Sequence, residues 1–138
     1  MTTIDIAGWN ARAKDKLPGH LGIEIVSMEP GTASARMPVE EHHLAPNGYM
    51  HAGSVVTLAD TSCGVGCMAS LPDGAMSFTT IELKSNFLGT MTDGAIACDA
   101  RLIHGGRTTQ VWDAEVRDEA TGKVLALFRC TQLVLWPR

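Results

Sequence analysis

Apolar residues recur along this chain with one spacing in some stretches and another in others, and each change of spacing marks a predicted element. From Asp5 to Lys16, Ile6, Trp9 and Ala13 share one face at helical spacing, and Pro18-Gly19 is expected to end that short amphipathic helix. From Leu21 to Val39 come two strand-like runs broken at Glu29-Pro30-Gly31, whose residues suit a tight turn, so a hairpin is predicted. Glu40 to Met50 shows no apolar period and holds His42, His43, Pro46 and Asn47-Gly48, the composition of a polar loop. Ala52 to Leu71 then runs without proline, with Asp60 as its only charged side chain. At 1.5 Å per residue this is roughly 30 Å of helix, and it must be largely buried. After Pro72-Asp73-Gly74 come four strand-like runs, about Met76 to Leu88, Ala95 to His104, Arg107 to Asp118 and Lys123 to Leu135. Gly105-Gly106 and Thr121-Gly122 mark hairpin turns between them.

Helix, hairpin, long buried helix and antiparallel meander describe an α+β domain whose sheet covers the central helix. One domain is expected over residues 1–138, with a helical cap over 1–18 and the central helix over 52–71. The composition, 45% hydrophobic and 19% charged, is that of an ordered globular chain. A formal charge of −4 and a pI near 5.6 leave no overall basic field to grip nucleic acid, although a local patch could hold one phosphorylated cofactor. Ser54, Thr57, Thr61, Ser62 and Ser70, with Gly64 and Gly66 and no basic flank, make the long helix a poor membrane span. Met1-Thr2-Thr3-Ile4-Asp5 has neither a basic n-region nor a following apolar run, so no secretory signal is visible and a cytoplasmic address is expected. Cys63 and Cys67 lie one turn apart on the helix, and Cys98 and Cys130 fall in strands. They read as small buried hydrophobes rather than a metal site, a disulfide framework or a catalytic thiol.

A lone carboxylate in a buried helix costs several kcal/mol unless it is paired, hydrogen-bonded or reached by water. Composition alone fits Asp60 as a structural acid bonded to a loop amide or to a neighbouring subunit. Its context points elsewhere. Val56, Thr57, Cys63, Gly64 and Cys67 share its face and keep that side uncrowded. Gly64 and Gly66 each cost the helix about 1 kcal/mol, which predicts close packing there by a partner backbone or a ligand. His51 and Ala52 stand where the loop enters the helix, so first-turn amides can face a developing oxyanion. His51 fits a capping or core histidine as well as one touching substrate, and Asn47-Gly48 fits a simple turn.

Gly48-Tyr49-Met50-His51-Ala52-Gly53, followed by Leu58-Ala59-Asp60-Thr61, resembles the phenylacetate-degradation branch of the hotdog-fold acyl-CoA thioesterases. The resemblance extends in the family's order through Thr79-Thr80-Ile81-Glu82-Leu83-Lys84-Ser85-Asn86-Phe87-Leu88, His104-Gly105-Gly106-Arg107 and Thr121-Gly122-Lys123. It implies a hotdog fold, an antiparallel sheet wrapped around the central helix, and hydrolysis of a small acyl-CoA. It places Asp60, nine residues after His51, as general base or nucleophile, and the Ala52 N–H as the donor that polarises the thioester carbonyl. Thr80 matches a strand hydroxyl that helps place the attacking water. Gly53, Lys84, Asn86, Gly106 and Arg107 fall in segments near the nucleotide, where Lys and Arg suit phosphates; exposed strand and turn charges are the alternative for the charged ones. No metal or redox cofactor is implied, coenzyme A being part of the substrate. The resemblance also implies a homodimer with its sites between subunits, often doubled into a tetramer.

One departure stands out. The family usually has Asn or Gln six residues before the His, where this chain has Ala45. Either Asn47 reaches the site from a reshaped loop, or the thioester is oriented through His51 and main-chain groups. A non-catalytic acyl-CoA sensor is the rival that Ala45 encourages. A hydratase or dehydratase on the same fold is a weaker one, because His43-Leu44-Ala45-Pro46 does not reproduce its histidine motif.

Overall fold

The computed structural model describes residues 5–138; residues 1–4, the start of the expected helical cap and of the segment with no visible secretory signal, lie outside the described residues. Asp5 caps α1 (Ile6–Ala13), its Oδ1 accepting the Gly8 N–H at 2.7 Å, a contact worth about 1 kcal/mol. Ile6 and Trp9 pack on the core and Ala13 is buried, the face that their spacing predicts. Pro18-Gly19 does not simply stop the helical path. After a turn at residues 14–16, both lie inside a second short helix, α2 (Leu17–His20). Proline is tolerated in a first turn because the N–H it lacks would have no intrahelical acceptor. Gly19 sits against the Ala13 carbonyl, where a β-carbon would not fit.

β1 (Glu24–Glu29) and β2 (Thr32–Pro38) form the expected hairpin, and the later runs become β3 (Ser77–Phe87), β4 (Ala95–Gly105), β5 (Thr109–Asp118) and β6 (Val124–Leu135). All pair antiparallel in one six-stranded sheet ordered β1-β2-β4-β5-β6-β3. The four-strand meander is therefore corrected. β4, β5 and β6 follow one another, but β3 lies at the far edge against β6, and β2 takes the place beside β4. Between β2 and β3 the chain passes through the long helix, which contacts all six strands, and Met76 leaves it to donate its N–H to Leu135 of β6 at 2.8 Å. Turn residues locate the strands; the traverse of the helix decides their neighbours.

That helix, α3 (Ala52–Ala69), is two residues shorter than predicted and buries Leu58, Ala59, Ser62, Cys63, Val65, Gly66 and Cys67. Within the protomer, side chains of the sheet are what pack against the two glycines. A β-carbon on Gly66 would stand 2.5 Å from the indole of Trp112, and one on Gly64 would stand 3.0 Å from the Phe78 ring, so aromatic side chains of the sheet occupy both gaps. Both ends of α3 are pinned by buried or part-buried polar contacts, each worth about 1 kcal/mol. At its start, the His43 carbonyl accepts the His51 N–H at 2.9 Å and the Ser54 hydroxyl at 3.0 Å. At its end, Ser70 Oγ accepts the Gly31 N–H and the Ser70 carbonyl accepts Gln110 Nε2–H, both at 2.9 Å.

The segment expected to be an open polar loop is partly built. It holds a 3-10 turn, Glu41–His43, and a bridge between Leu44 and Met50. His43 is a buried anchor, its Nδ1 accepting the Glu40 N–H at 2.9 Å while Nε2–H donates to the Leu21 carbonyl at 2.7 Å. No helix among the described residues is long and apolar enough to cross a membrane.

Candidate active site

Asp60 lies half-buried in the middle of α3, its Oδ1 fully buried with no hydrogen-bond partner. Burial pushes the carboxyl above its ordinary value, and the nearby Thr80 hydroxyl pulls the other way. That hydroxyl has a single proton, however, and directs it to Gln132 Oε1 at 2.6 Å. What Thr80 offers Asp60 in this arrangement is mainly an oxygen lone pair, so burial dominates.

A bulge in β3 aims Thr80. The register shifts between Thr80 and Glu82, leaving Ile81 as the extra residue. Thr80, Leu83 and Ser85 consequently stand opposite the buried residues Gln132, Cys130 and Phe128 of β6, although Leu83 itself stays exposed at the sheet edge. Lys84 and Asn86 stand opposite Arg129 and Leu127 and turn to the outer face. There they line a cavity of about 730 Å³ with Arg101, Asp113 and Arg129. Within one protomer these two nucleotide-binding candidates are therefore on the face of the sheet away from Asp60.

At the start of α3, His51 is the N-cap, and its Nδ1 accepts the Gly53 N–H at 2.8 Å. The Nδ1 acceptor leaves the proton of the neutral ring on Nε2. A β-carbon on Gly53 would come 3.0 Å from that ring, so the glycine lets the cap close. The Ser54 N–H is taken by the His51 carbonyl at 3.0 Å. Ala52 N–H has no acceptor among the described residues, which makes it the first-turn donor open to a ligand, with the helix dipole behind it.

The remaining candidates are spread out. Asn47 is exposed and its Oδ1 accepts the Tyr49 N–H at 3.2 Å, an Asx turn of its own loop. Gly106 closes the β4–β5 turn, donating its N–H to the Thr109 carbonyl at 2.9 Å. Arg107 lies with its guanidinium carbon 4.5 Å from the centre of the Trp136 ring, while the Trp136 indole N–H donates to the Arg107 carbonyl at 3.0 Å. The structure thus joins Asp60 with Thr80, and His51 with Ala52 and Gly53. It holds Lys84 with Asn86, and Gly106 with Arg107, at separate places.

Gln132 escaped the sequence reading, although a signal was present. It is a polar residue in the inward set Ala126, Phe128, Cys130, Gln132, Val134 of β6, where every other member is apolar. The thiols fill space: burial pushes Cys67 and Cys98 up to about 12, and a contact with Cys130 together with burial raises Cys63 further, so all three stay neutral.

Comparison with known proteins bears on the family and the fold. The sequence pattern of the thioesterase superfamily matches residues 47–125. A 1,4-dihydroxy-2-naphthoyl-CoA hydrolase of Listeria monocytogenes is 38% identical over 111 residues, covering 80% of this chain and 89% of that protein. Among solved structures, a variant of a Pseudomonas aeruginosa thioesterase superposes with a TM-score of 0.89 at 30% identity, covering 97% of this chain and 96% of the other. A thioesterase of Haemophilus influenzae superposes with the same TM-score of 0.89 at 28% identity, covering 97% and 92%.

Proposed function

Because the chain belongs to the thioesterase superfamily and is a thioester hydrolase of the hotdog fold, we propose that it cleaves a small aryl or short- to medium-chain acyl-CoA into free acid and coenzyme A. The observation that carries the assignment of roles is the half-buried Asp60, with its unpartnered Oδ1, beside Thr80. Asp60 takes a proton from water, or attacks the carbonyl itself, and the Ala52 N–H holds the carbonyl oxygen as charge gathers on it. His51, through its Nε2–H, and main-chain groups orient the thioester in place of the side-chain amide missing at Ala45, since Asn47 is engaged in its own turn. The 1,4-dihydroxy-2-naphthoyl-CoA named for the Listeria relative favours the aryl end of this range.

Asp60 lies eight residues beyond Ala52 on one helix, about 12 Å of rise. A base and an oxyanion donor acting on one carbonyl each lie roughly 3 Å from the atoms they serve, so one protomer does not supply both. We therefore take the enzyme to be a homodimer, with Asp60 of one subunit facing the Ala52 amide of the other. Strand β3 supports this: it ends the sheet and leaves Ile81, Leu83 and Phe87 exposed, an edge that a second copy would pair and cover. A dimer of dimers would bring further subunits to the nucleotide candidates Lys84, Asn86 and Arg107. A cytoplasmic address, where coenzyme A esters form, completes the reading.

The test is a thiol-release assay across aromatic, short-chain and medium-chain acyl-CoAs, with Asp60→Asn in parallel. Wild-type turnover with an Asp60→Asn variant that binds coenzyme A but has lost most turnover is the expected result. Unchanged hydrolysis by Asp60→Asn overturns the role of Asp60, and tight binding without thiol release by the wild type returns the chain to the sensor reading.

A further inference from the structure

Among the described residues, Gln132 is the fully buried side chain beside the Asp60–Thr80 pair whose polar capacity is only half used. Its Oε1 accepts the Thr80 hydroxyl proton at 2.6 Å, and its Nε2 is buried without a partner. Its structural counterpart on the neighbouring strand, Gln110, faces it in register, and both ends of that amide are engaged: Nε2–H donates to the Ser70 carbonyl at 2.9 Å, and Oε1 accepts the Trp112 indole N–H at 2.7 Å. Gln110 is explained by the packing it ties together. Gln132 ties only to Thr80, and its orphaned buried N–H2 is a cost that this one contact has to offset. A hydrophobic residue of the same volume would suit the core better, unless the acceptor it presents to Thr80 matters.

We infer that Gln132 is a positioning residue for hydrolysis: by holding the Thr80 proton, it turns the Thr80 oxygen toward Asp60 as an acceptor. The inference rests on the role proposed for Asp60. A hydroxyl has one proton, so Thr80 cannot donate to Gln132 and to Asp60 together. With that proton directed at Gln132, the Thr80 oxygen accepts a hydrogen bond from one O–H of the attacking water while Asp60 removes the proton of the other. The water oxygen adds to the carbonyl carbon, the C–S bond then breaks to release the coenzyme A thiolate, and the proton held by Asp60 passes to that sulfur, which returns the carboxylate to its starting state. If Thr80 were free to donate, it would bond the Asp60 carboxylate, weaken the base and lose its hold on the water. The other groups around Asp60 are the thiols of Cys63 on α3 and, behind it, Cys130 on β6 and Cys98 on β4. Cys63 and Cys98 are raised and neutral across an assay range, and among the described residues no cation pairs with Asp60.

The experiment is the pH dependence of kcat/KM for wild type, Asp60→Asn, Gln132→Met, Thr80→Val and the double variant Gln132→Met with Thr80→Val, with a melting curve for each. Gln132→Met keeps the volume and removes the acceptor. It should lower kcat roughly tenfold, the worth of one hydrogen bond, with little change in KM, and should move the acid limb to lower pH as Thr80 turns its proton to Asp60. In the double variant that downward movement disappears, because the hydroxyl that causes it is gone. Gln132→Asn, one methylene shorter, withdraws the acceptor with a smaller perturbation and should move the limb in the same direction if Gln132→Met folds poorly. An acid limb that stays put in both Gln132 variants, or that moves equally with Val at position 80, overturns the inference. Failure of the underlying assignment would look different, as retained hydrolysis by Asp60→Asn.

Discussion

Gly66 lies so close to the indole of Trp112 that a β-carbon at this position would stand 2.5 Å from the ring. The ring is fully buried and held by its N–H bond to Gln110, so it has nowhere to retreat. Gly66→Ala should therefore destabilise the fold by about 1–3 kcal/mol despite the gain in helix propensity. Gly64→Ala meets only the end of the half-buried Phe78 ring at 3.0 Å and should cost less. Urea unfolding of the two variants side by side measures the difference.

Ala52→Pro tests the proposed oxyanion donor with little structural cost. Ala52 is the first residue of α3, where proline is tolerated, and the preceding His51 already has φ −67° and ψ 133°, a conformation that a following proline accepts. The substitution deletes one N–H and should lower kcat roughly 100- to 1,000-fold while the melting temperature changes little. Mixing this variant with Asp60→Asn adds a test of the shared site. Heterodimers of the two should regain one working site if Asp60 and Ala52 act across subunits, and none if each protomer is complete.

The pH dependence of Asp60 runs in opposite directions for activity and stability. Burial raises its carboxyl above the ordinary value near 3.8, so kcat/KM should rise through that higher value as pH increases. Across the same window the folded chain binds more protons than the unfolded one, so stability declines as pH rises. Asp60→Asn should remove that decline and be more stable than wild type at neutral pH, with the gap closing in acid. Denaturant unfolding at a series of pH values measures it.

His43 predicts a second slope with the reverse sign. Burial holds its imidazole below the ordinary 6.5, opposed by the bond to Leu21. The unfolded chain therefore binds more protons between the two values. Stability is fully present above pH 6.5 and is lost as pH falls through the window below it. His43→Leu should flatten this slope and cost about 1–3 kcal/mol at pH 8, because it leaves the Glu40 N–H and the Leu21 carbonyl unpaired. The same unfolding series measures both effects.

Periodicity and turn residues determined much of this protein by themselves. The apolar face of α1, the β1–β2 hairpin, the long buried helix and the four later strands are local properties, because amphipathic spacing and Gly or Pro turn chemistry act over a few residues. Asp60 was conspicuous for the same reason, a single charge in an apolar helix. The strand order was beyond that reach, since nothing local states that β3 crosses to the edge beside β6. Nor could spacing reveal that Gly64 and Gly66 face Phe78 and Trp112, that His43 is a buried anchor, or that Lys84 and Asn86 turn away from Asp60 beyond the Ile81 bulge. Those facts depend on which distant residues meet. The pairing of Thr80 with Gln132 is the sharpest case: 52 residues separate them, and only the closing of β3 onto β6 brings hydroxyl and amide within 2.6 Å.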